Sequence, residues 1–457
     1  WEAGDYIYVK DDDGVLRKSK NAPTSKVASF NYKVPGKFTA SSSYKVYYLG
    51  KNSSGNSVSI STAQEQTAPD NTAHFGTAGD YGTATANKVT GKNQFAFELE
   101  HQPAYLVFQP YTSNTVLHDC YLTKIEVTSN DDIAEKYTVN TTTGALVAST
   151  VTNGKQIVLT TKAPWGSYRN GFPLTNSTAS VTTNGAYMVI KPGTHTLKVR
   201  YWVKDVATNI QGTITKILPS TTYASNTYYD MKTNLDLKNY DGDKYYMWDA
   251  QQNYWVGHEW NSPNPWQPVL NNSSNSNYAQ SNSDPRYKNE GGGSGRFDAT
   301  QSCAGLPNVN EMYWYCLKGD ARWDADELWT TMGHLYKGGM WFKKKAYISG
   351  YNVNNSPGGD DRRNTNGLSI TTNEIGRSLP SPSEANKYFY LPALGYYNSG
   401  QLYNVGKEGY YWSSSSPAAR PSGESAYYLK FSYDFGHYYS YVFYTIREIG
   451  ARVQAFE

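Results

Sequence analysis

The chain has 457 residues, which at ~150 residues per domain is enough for roughly three. Hydrophobic residues make up 38 %, charged residues 18 %, and the mean hydropathy is −0.67; no run of about 18 apolar residues could cross a bilayer as a helix. With 42 Lys and Arg against 39 Asp and Glu and no dense basic run, nucleic acid is not an expected partner.

Three cysteines, Cys120, Cys303 and Cys316, are too few for a disulfide scaffold. The 42 tyrosines and the 15 % aromatic content exceed what core packing needs; sheets favour Tyr, and exposed Tyr also marks contact surfaces. The chain opens at Trp1 without an initiator Met, a basic stretch or an apolar stretch, and reads as a trimmed product whose export signal has been removed.

In chain order, residues 1–128 show short alternating runs broken by Gly, Asn, Ser and Pro, the pattern of antiparallel sheets. Phe95, Phe97 and Leu99 alternate with polar neighbours, and residues 104–108 are nearly all apolar, as in a strand covered on both faces. Residues 53–90, rich in Ser, Thr, Gly and Ala, read as a long surface excursion. A second strand series begins near Ile133, with Leu197, Val199, Tyr201 and Val203 alternating most clearly. With no helix expected before residue 225, the sequence predicts two antiparallel β-sandwiches, residues 1–132 and 133–225.

From about residue 226 the composition changes, and nine of the 12 Trp lie there. Asn308 and Glu311 form a capping box ahead of Val309, Met312, Tyr313, Cys316 and Leu317 at helical spacing. Asp324 and Glu327 suggest a second helix carrying Leu328, Trp329, Met332 and Leu335. Strands are expected at 388–392, 410–414, 426–432, 438–445 and 451–456, so residues 226–457 form an α+β domain. Polar loops at 271–283, 291–295 (GGGSG, expected to be disordered) and 350–367 are longer than connection requires.

The stretches LPNVNEMYWYCLKGDARWD (306–324), GGMWFKKK (338–345), YLPALGYYNSGQL (390–402) and GYYWSSSS (409–416) together resemble a C-type-lectin-like domain of Bacteroides-type surface proteins, whose final R-x-x-G-x-x-V strand matches Arg447, Gly450 and Val453. FELEHQPAYLVFQ (97–109), LTKIEVTS (122–129) and TTTGAL (141–146) resemble the sandwich domains of fimbrillin-family proteins. The resemblance implies a fimbrial-tip or cell-surface adhesin, exported as a lipoprotein to the outer membrane, trimmed, and joined to other fimbrial subunits by an exchanged β-strand. Its external partner would be a host or microbial glycan or protein. A structural pilus subunit without external ligand and an enzyme of formylglycine-generating-like fold are the alternatives.

Chemistry in the residues is sparse. The Ca²⁺ pattern of true C-type lectins has its nearest strings in Ser262-Pro263-Asn264 and Trp323-Asp324-Ala325, which lack the required acids. Asp11, Asp12, Asp13 and Gly14 read as a turn. His258-Glu259 has no second ligand at helical spacing. No metal, cofactor or catalytic residue is expected. Cys303 and Cys316 flank the expected first helix and could pair, although Cys316 falls on its apolar face. Sugars offer apolar C–H faces to aromatic rings and hydroxyls to amides and carboxylates. The expected ligand contacts are therefore Trp255, Trp260, Trp266, Asn354, Asp360 and Arg362.

Overall fold

The computed structural model describes residues 1–457 except 54, 271–272, 293–294, 366–370, 377, 419–423 and 435–436. Parts of all three long loops, including Gly293 and Ser294 of the GGGSG stretch, therefore lie outside the described residues. The chain is mostly β-sheet and forms two compact units, Trp1–Asp236 with Ser381–Ser383 and Leu237–Pro380 with Glu384–Glu457.

In the first unit, one sheet runs Leu16–Lys18, Ile7–Lys10, Ser43–Tyr48, Gly82–Lys88 and Phe95–Ala96. The other strands interleave across the whole unit. Ser57–Ser59 pairs with Glu135–Val139, Cys120–Ser129 with Gln156–Thr160 and Leu197–Asp205, and Ala104–Tyr111 with Ala186–Ile190 and Tyr228–Asn234. The sandwich division expected at 132/133 is thus crossed by several ladders. The division expected at 225/226 lies at 236/237, because Tyr228–Asn234 runs parallel to Ala104–Tyr111. Phe108 meets Tyr201 edge-on at 6.0 Å, which packs two of these sheets face to face. Ala104–Tyr111 is buried at seven of its eight positions, as its apolar run predicts.

Residues 53–90 are not a surface excursion. They supply strands Ser57–Ser59, Ala63–Glu65 and Gly82–Lys88, the one-turn helix Phe75–Ala78, and buried Val58, Ile60, Gln64, Gln66 and Tyr81. Polarity misled because the two glutamines replace a strand. Gln64 donates to the Val189 carbonyl (2.7 Å) and accepts from its N–H (3.0 Å), while Gln66 accepts from the Tyr187 N–H (2.7 Å) and donates to the Gly185 carbonyl (2.9 Å). Side-chain amides thereby satisfy the buried edge of Ala186–Ile190.

In the second unit, a sheet of order Tyr245–Tyr246, Ala451–Arg452, Glu408–Trp412, Ser425–Asp434, His437–Ile446 and Thr371–Glu374 packs on helix Val309–Lys318. The helix carries the expected capping box: Asn308 accepts from the Glu311 N–H and the Glu311 carboxylate accepts from the Asn308 N–H. The expected second helix is instead a hairpin, Arg322–Thr331 with His334–Lys343, extended by Tyr388–Pro392. Asp324 does accept from the Asp326 and Glu327 N–H groups, as a cap would, but this turn is a bulge between Asp324 and Leu328. Met332 (φ 48°) and Gly333 (φ 76°) then close a tight hairpin turn that requires two positive φ values.

Arg447 is almost wholly buried (1 % exposed) and lies 4.2 Å from the Trp248 ring centre. It donates to the carbonyls of Ser425, Asn289 and Gly291 and to Ser416 Oγ. Gly450 exchanges two backbone hydrogen bonds with Tyr397, and the Val453 N–H bonds the Lys244 carbonyl. The R-x-x-G-x-x-V residues are therefore scaffold.

Truncating a buried amide leaves backbone groups unpaired at about 1–3 kcal/mol each. Gln64→Ala and Gln66→Ala each orphan two such groups and should each lower unfolding free energy by about 2–6 kcal/mol in urea titrations; losses below ~0.5 kcal/mol for both would refute the strand-replacement role. Arg447→Met, which orphans three carbonyls, should cost about 3–5 kcal/mol in the same assay.

Candidate functional site

Two of the regions singled out in sequence, the Trp255–Trp266 segment and the loop from Tyr351, sit on different supports of the second unit. The first leads to the Met332–Gly333 turn. Trp255 is fully buried, edge-on to Tyr254 (5.0 Å), Trp266 (5.7 Å) and Tyr397 (5.9 Å), so it is core and cannot contact a ligand. Trp260 and Trp266 are half-buried. Trp260 packs over Gly333, where an added Cβ would lie 2.9 Å from its ring, and its N–H bonds Gln267 Oε1. Trp266 lies parallel to His258 at 3.4 Å, and His258 Nδ1 is 2.8 Å from the Asn264 carbonyl. These two rings remain available at the surface, held by packing on one side.

The loop from Tyr351 is tied to the helix N-terminus. Asn310 donates to Asp361 (2.8 Å) and to the Asn354 carbonyl (2.9 Å), and accepts from the Arg362 N–H (2.8 Å). Arg363 forks onto both oxygens of Asp361 (2.7 and 2.8 Å), and this hydrogen bonding, with that from Asn310, brings Asp361 down to about 2. Asp361 and Arg363 thus fasten the loop. Asn354 and Asp360 are exposed; Arg362 is half-buried, pairs with Asp360 at 2.9 Å and lies 5.2 Å from the Tyr313 ring centre. A fixed loop presents an amide, a carboxylate and a guanidinium, a mixture suited to reading hydroxyls.

No disulfide joins Cys303 and Cys316, and all three thiols are buried. Cys303 accepts from the Asp249 N–H, and Cys316 donates to the Ser440 carbonyl. Burial pushes Cys120 and Cys316 up to about 12 and Cys303 upward as well, so all stay protonated at neutral pH. Asp324, from one of the strings weighed against the Ca²⁺ pattern, is 2 % exposed and accepts from Trp341 Nε1.

Two features were not anticipated. In the first unit, a cleft of about 1470 Å³ lies over the N-terminal sheet, with Trp1, Tyr32, Phe38, Tyr44, Phe95 and Phe97 among its walls. Asp5 and Asp80 are among its lining residues; Asp5 accepts from Tyr48, and Asp80 from Tyr105 and His101. In the second unit, half-exposed tyrosines line one face of the six-stranded sheet. The alternating YYSYVFY of residues 438–444 was their only sequence signal, and strand register decides which of them face outward.

No family model and no curated protein matches the chain. Among solved structures it is similar to a candidate cell adhesion protein from Bacteroides ovatus, at 14 % identity over 52 % of this chain and 84 % of that one, TM-score 0.31. A second, from Bacteroides uniformis, aligns at 17 % identity over 50 % and 86 %, TM-score 0.31. A fimbrial protein from Bacteroides ovatus spans 98 % of this chain and 95 % of its own at 11 % identity, TM-score 0.26. At such scores the role has to be argued from the site.

Trp255→Ala should cost about 3–5 kcal/mol in denaturant unfolding, and Trp266→Ala clearly less; equal losses would place both rings in the core. The Asp80 hydrogen bond raises the His101 pKa above its ordinary value. Such a group stabilises the fold below the unfolded pKa of about 6.5, and that contribution is lost as pH rises through the folded value. His101→Asn should therefore lower the melting temperature more at about pH 5.5 than at about pH 8.5; an equal or reversed difference contradicts the pairing.

Proposed function

We propose that this chain is a bacterial cell-surface or fimbrial adhesin: a fimbrillin-like β-sandwich part, assembled with other fimbrial subunits by β-strand exchange, carries a C-terminal C-type-lectin-like domain that binds a glycan or protein without catalysis. The observation that carries this reading is the fixed, solvent-facing set in the second unit. Asn354, Asp360 and Arg362 stand on a loop fastened by Asp361, Arg363 and Asn310, on a domain whose R-x-x-G-x-x-V residues are built into its scaffold. Preordered loops on a rigid sheet bind at low entropic cost.

The cleft of the first unit supports strand exchange. Apart from its rim, the N-terminal sheet face there is covered by the irregular stretch 19–42, and among the described residues its small buried core is Ile7, Val9, Tyr44, Val46 and Ala86. An entering strand would bury the surrounding rings and pair an open edge. The formylglycine-type alternative needs a reactive thiol, and the three thiols here are buried and protonated. Placement at the outer membrane belongs to the same proposal.

A glycan array and a pull-down of surface proteins, both with the full chain, test the reading. Specific capture of a glycan or a non-fimbrial protein is expected, weakened at least about tenfold by a combined Asp360→Ala, Arg362→Ala change. Silence in both assays, with the chain still recovered in fimbriae, would establish the purely structural role instead.

A further inference from the structure

The six-stranded sheet of the second unit has an inner face on the helix, through Tyr411, Leu429, Phe431 and Val442, and an outer face through the alternating residues. One half of the outer face is covered: Trp248, Leu306, Tyr410, Trp412, Ala426 and Tyr428 belong to a separate small core there, with Tyr396 and Phe443 packed against it. Among the described residues that core stops at Tyr410. Strand register aligns Tyr410, Lys430 and Tyr441 in one row across three strands, and Glu408, Ser432, Tyr439 and Glu374 in the next across four. The short hairpin Tyr396–Asn398/Gln401–Tyr403 extends the surface, with Tyr396 4.3 Å from Tyr410 and 5.6 Å from Tyr403. Tyr396, Tyr403, Tyr439, Tyr441 and Phe443 are all half-exposed.

We propose that this tyrosine-lined outer face is a binding platform for a neutral linear oligosaccharide laid across the strands, a site separate from the loop that carries Asn354, Asp360 and Arg362. Three observations point to that occupant. The rings form two groups, Tyr396 with Tyr403 and Tyr439 with Tyr441, on either side of Lys430, which lies 5.1 Å from the Tyr410 centroid and 5.9 Å from that of Tyr441. Tyr410 and Tyr441 are two strand spacings apart, about 10 Å, close to the length of a disaccharide, so successive sugar faces could meet successive ring groups.

Charge is the second observation. Lys430, between the two ring groups, is paired with Glu408 at 3.0 Å, so the charges at the centre of the face are matched and suit a ligand without net charge. Thirdly, the remaining polar groups suit hydroxyls: Gln401 already accepts from Tyr403, and Glu408 from Asn404, at the rim of the rings. A dry protein interface would disfavour a lysine–glutamate pair at its centre; a polyol can hydrogen-bond it while its C–H faces cover the tyrosines.

The assignment rests on the adhesin reading, and its test separates the two. Neutral gluco-, manno- and xylo-oligosaccharides are titrated into the full chain by calorimetry, beside a Tyr439→Ser/Tyr441→Ser variant and a control Trp165→Ala variant, whose ring is 79 % exposed in the first unit, with folding verified by circular dichroism. The expected result is binding of at least one series, strengthening with chain length, indifferent to ionic strength, at least about tenfold weaker in the tyrosine variant and unchanged in the tryptophan variant. Binding that survives the tyrosine variant would overturn the platform but keep the adhesin reading. Absence of binding to all three series, or salt-sensitive binding, would overturn the platform's neutral occupant. Concentration-dependent dimerisation lost in the tyrosine variant would assign the face to a second copy of the chain instead.

Discussion

Arg447 surrenders its hydration to donate to three carbonyls and a serine while lying against Trp248, and much of the second unit depends on that arrangement. Burying a guanidinium costs several kcal/mol unless its donors are met. Here they are met by groups from three separated stretches, around residues 289–291, 416 and 425, which are locked together as a result. Burial draws its pKa down to about 10, and the negative charge of nearby Asp249 works the other way. Asp249 is itself held by the N–H groups of Thr300, Gln301 and Cys303. The cation and the anion thus each organise a loop through backbone groups, and those loops cover half of the sheet's outer face.

That division of the sheet matters for function. Where the loops lie, Trp412 and Tyr428 are core; a row or two further on, residues of the same parity are half-exposed tyrosines. One alternating pattern therefore yields a structural and a solvent-facing surface. The loop from Tyr351 follows the same economy: Asp361 and Arg363 face each other to fasten it, and their neighbours Asp360 and Arg362 are left toward solvent.

The first unit shows how far polar composition can stand from surface. Gln64 and Gln66 are as buried as the valines around them because both ends of each amide meet a strand edge. The interleaved ladders follow from the same economy of edges. Strands far apart in sequence close each other's open hydrogen bonds, so a boundary drawn by counting residues cuts through pairs that only make sense together.

The sequence by itself determined the β class, the capped helix at 309–318, the buried run at 104–108 and most strands after residue 388, because these depend on spacing within a few residues. It also carried the R-x-x-G-x-x-V pattern, whose Arg447, Gly450 and Val453 prove to be scaffold. Tertiary structure alone decided that Asp324 turns a bulge and not a helix, that Trp255 is core while Trp260 and Trp266 are half-exposed, that the cysteines stay apart, and which tyrosines meet solvent. Each of those outcomes depends on what packs against a residue from a distant part of the chain, and local pattern holds no record of that.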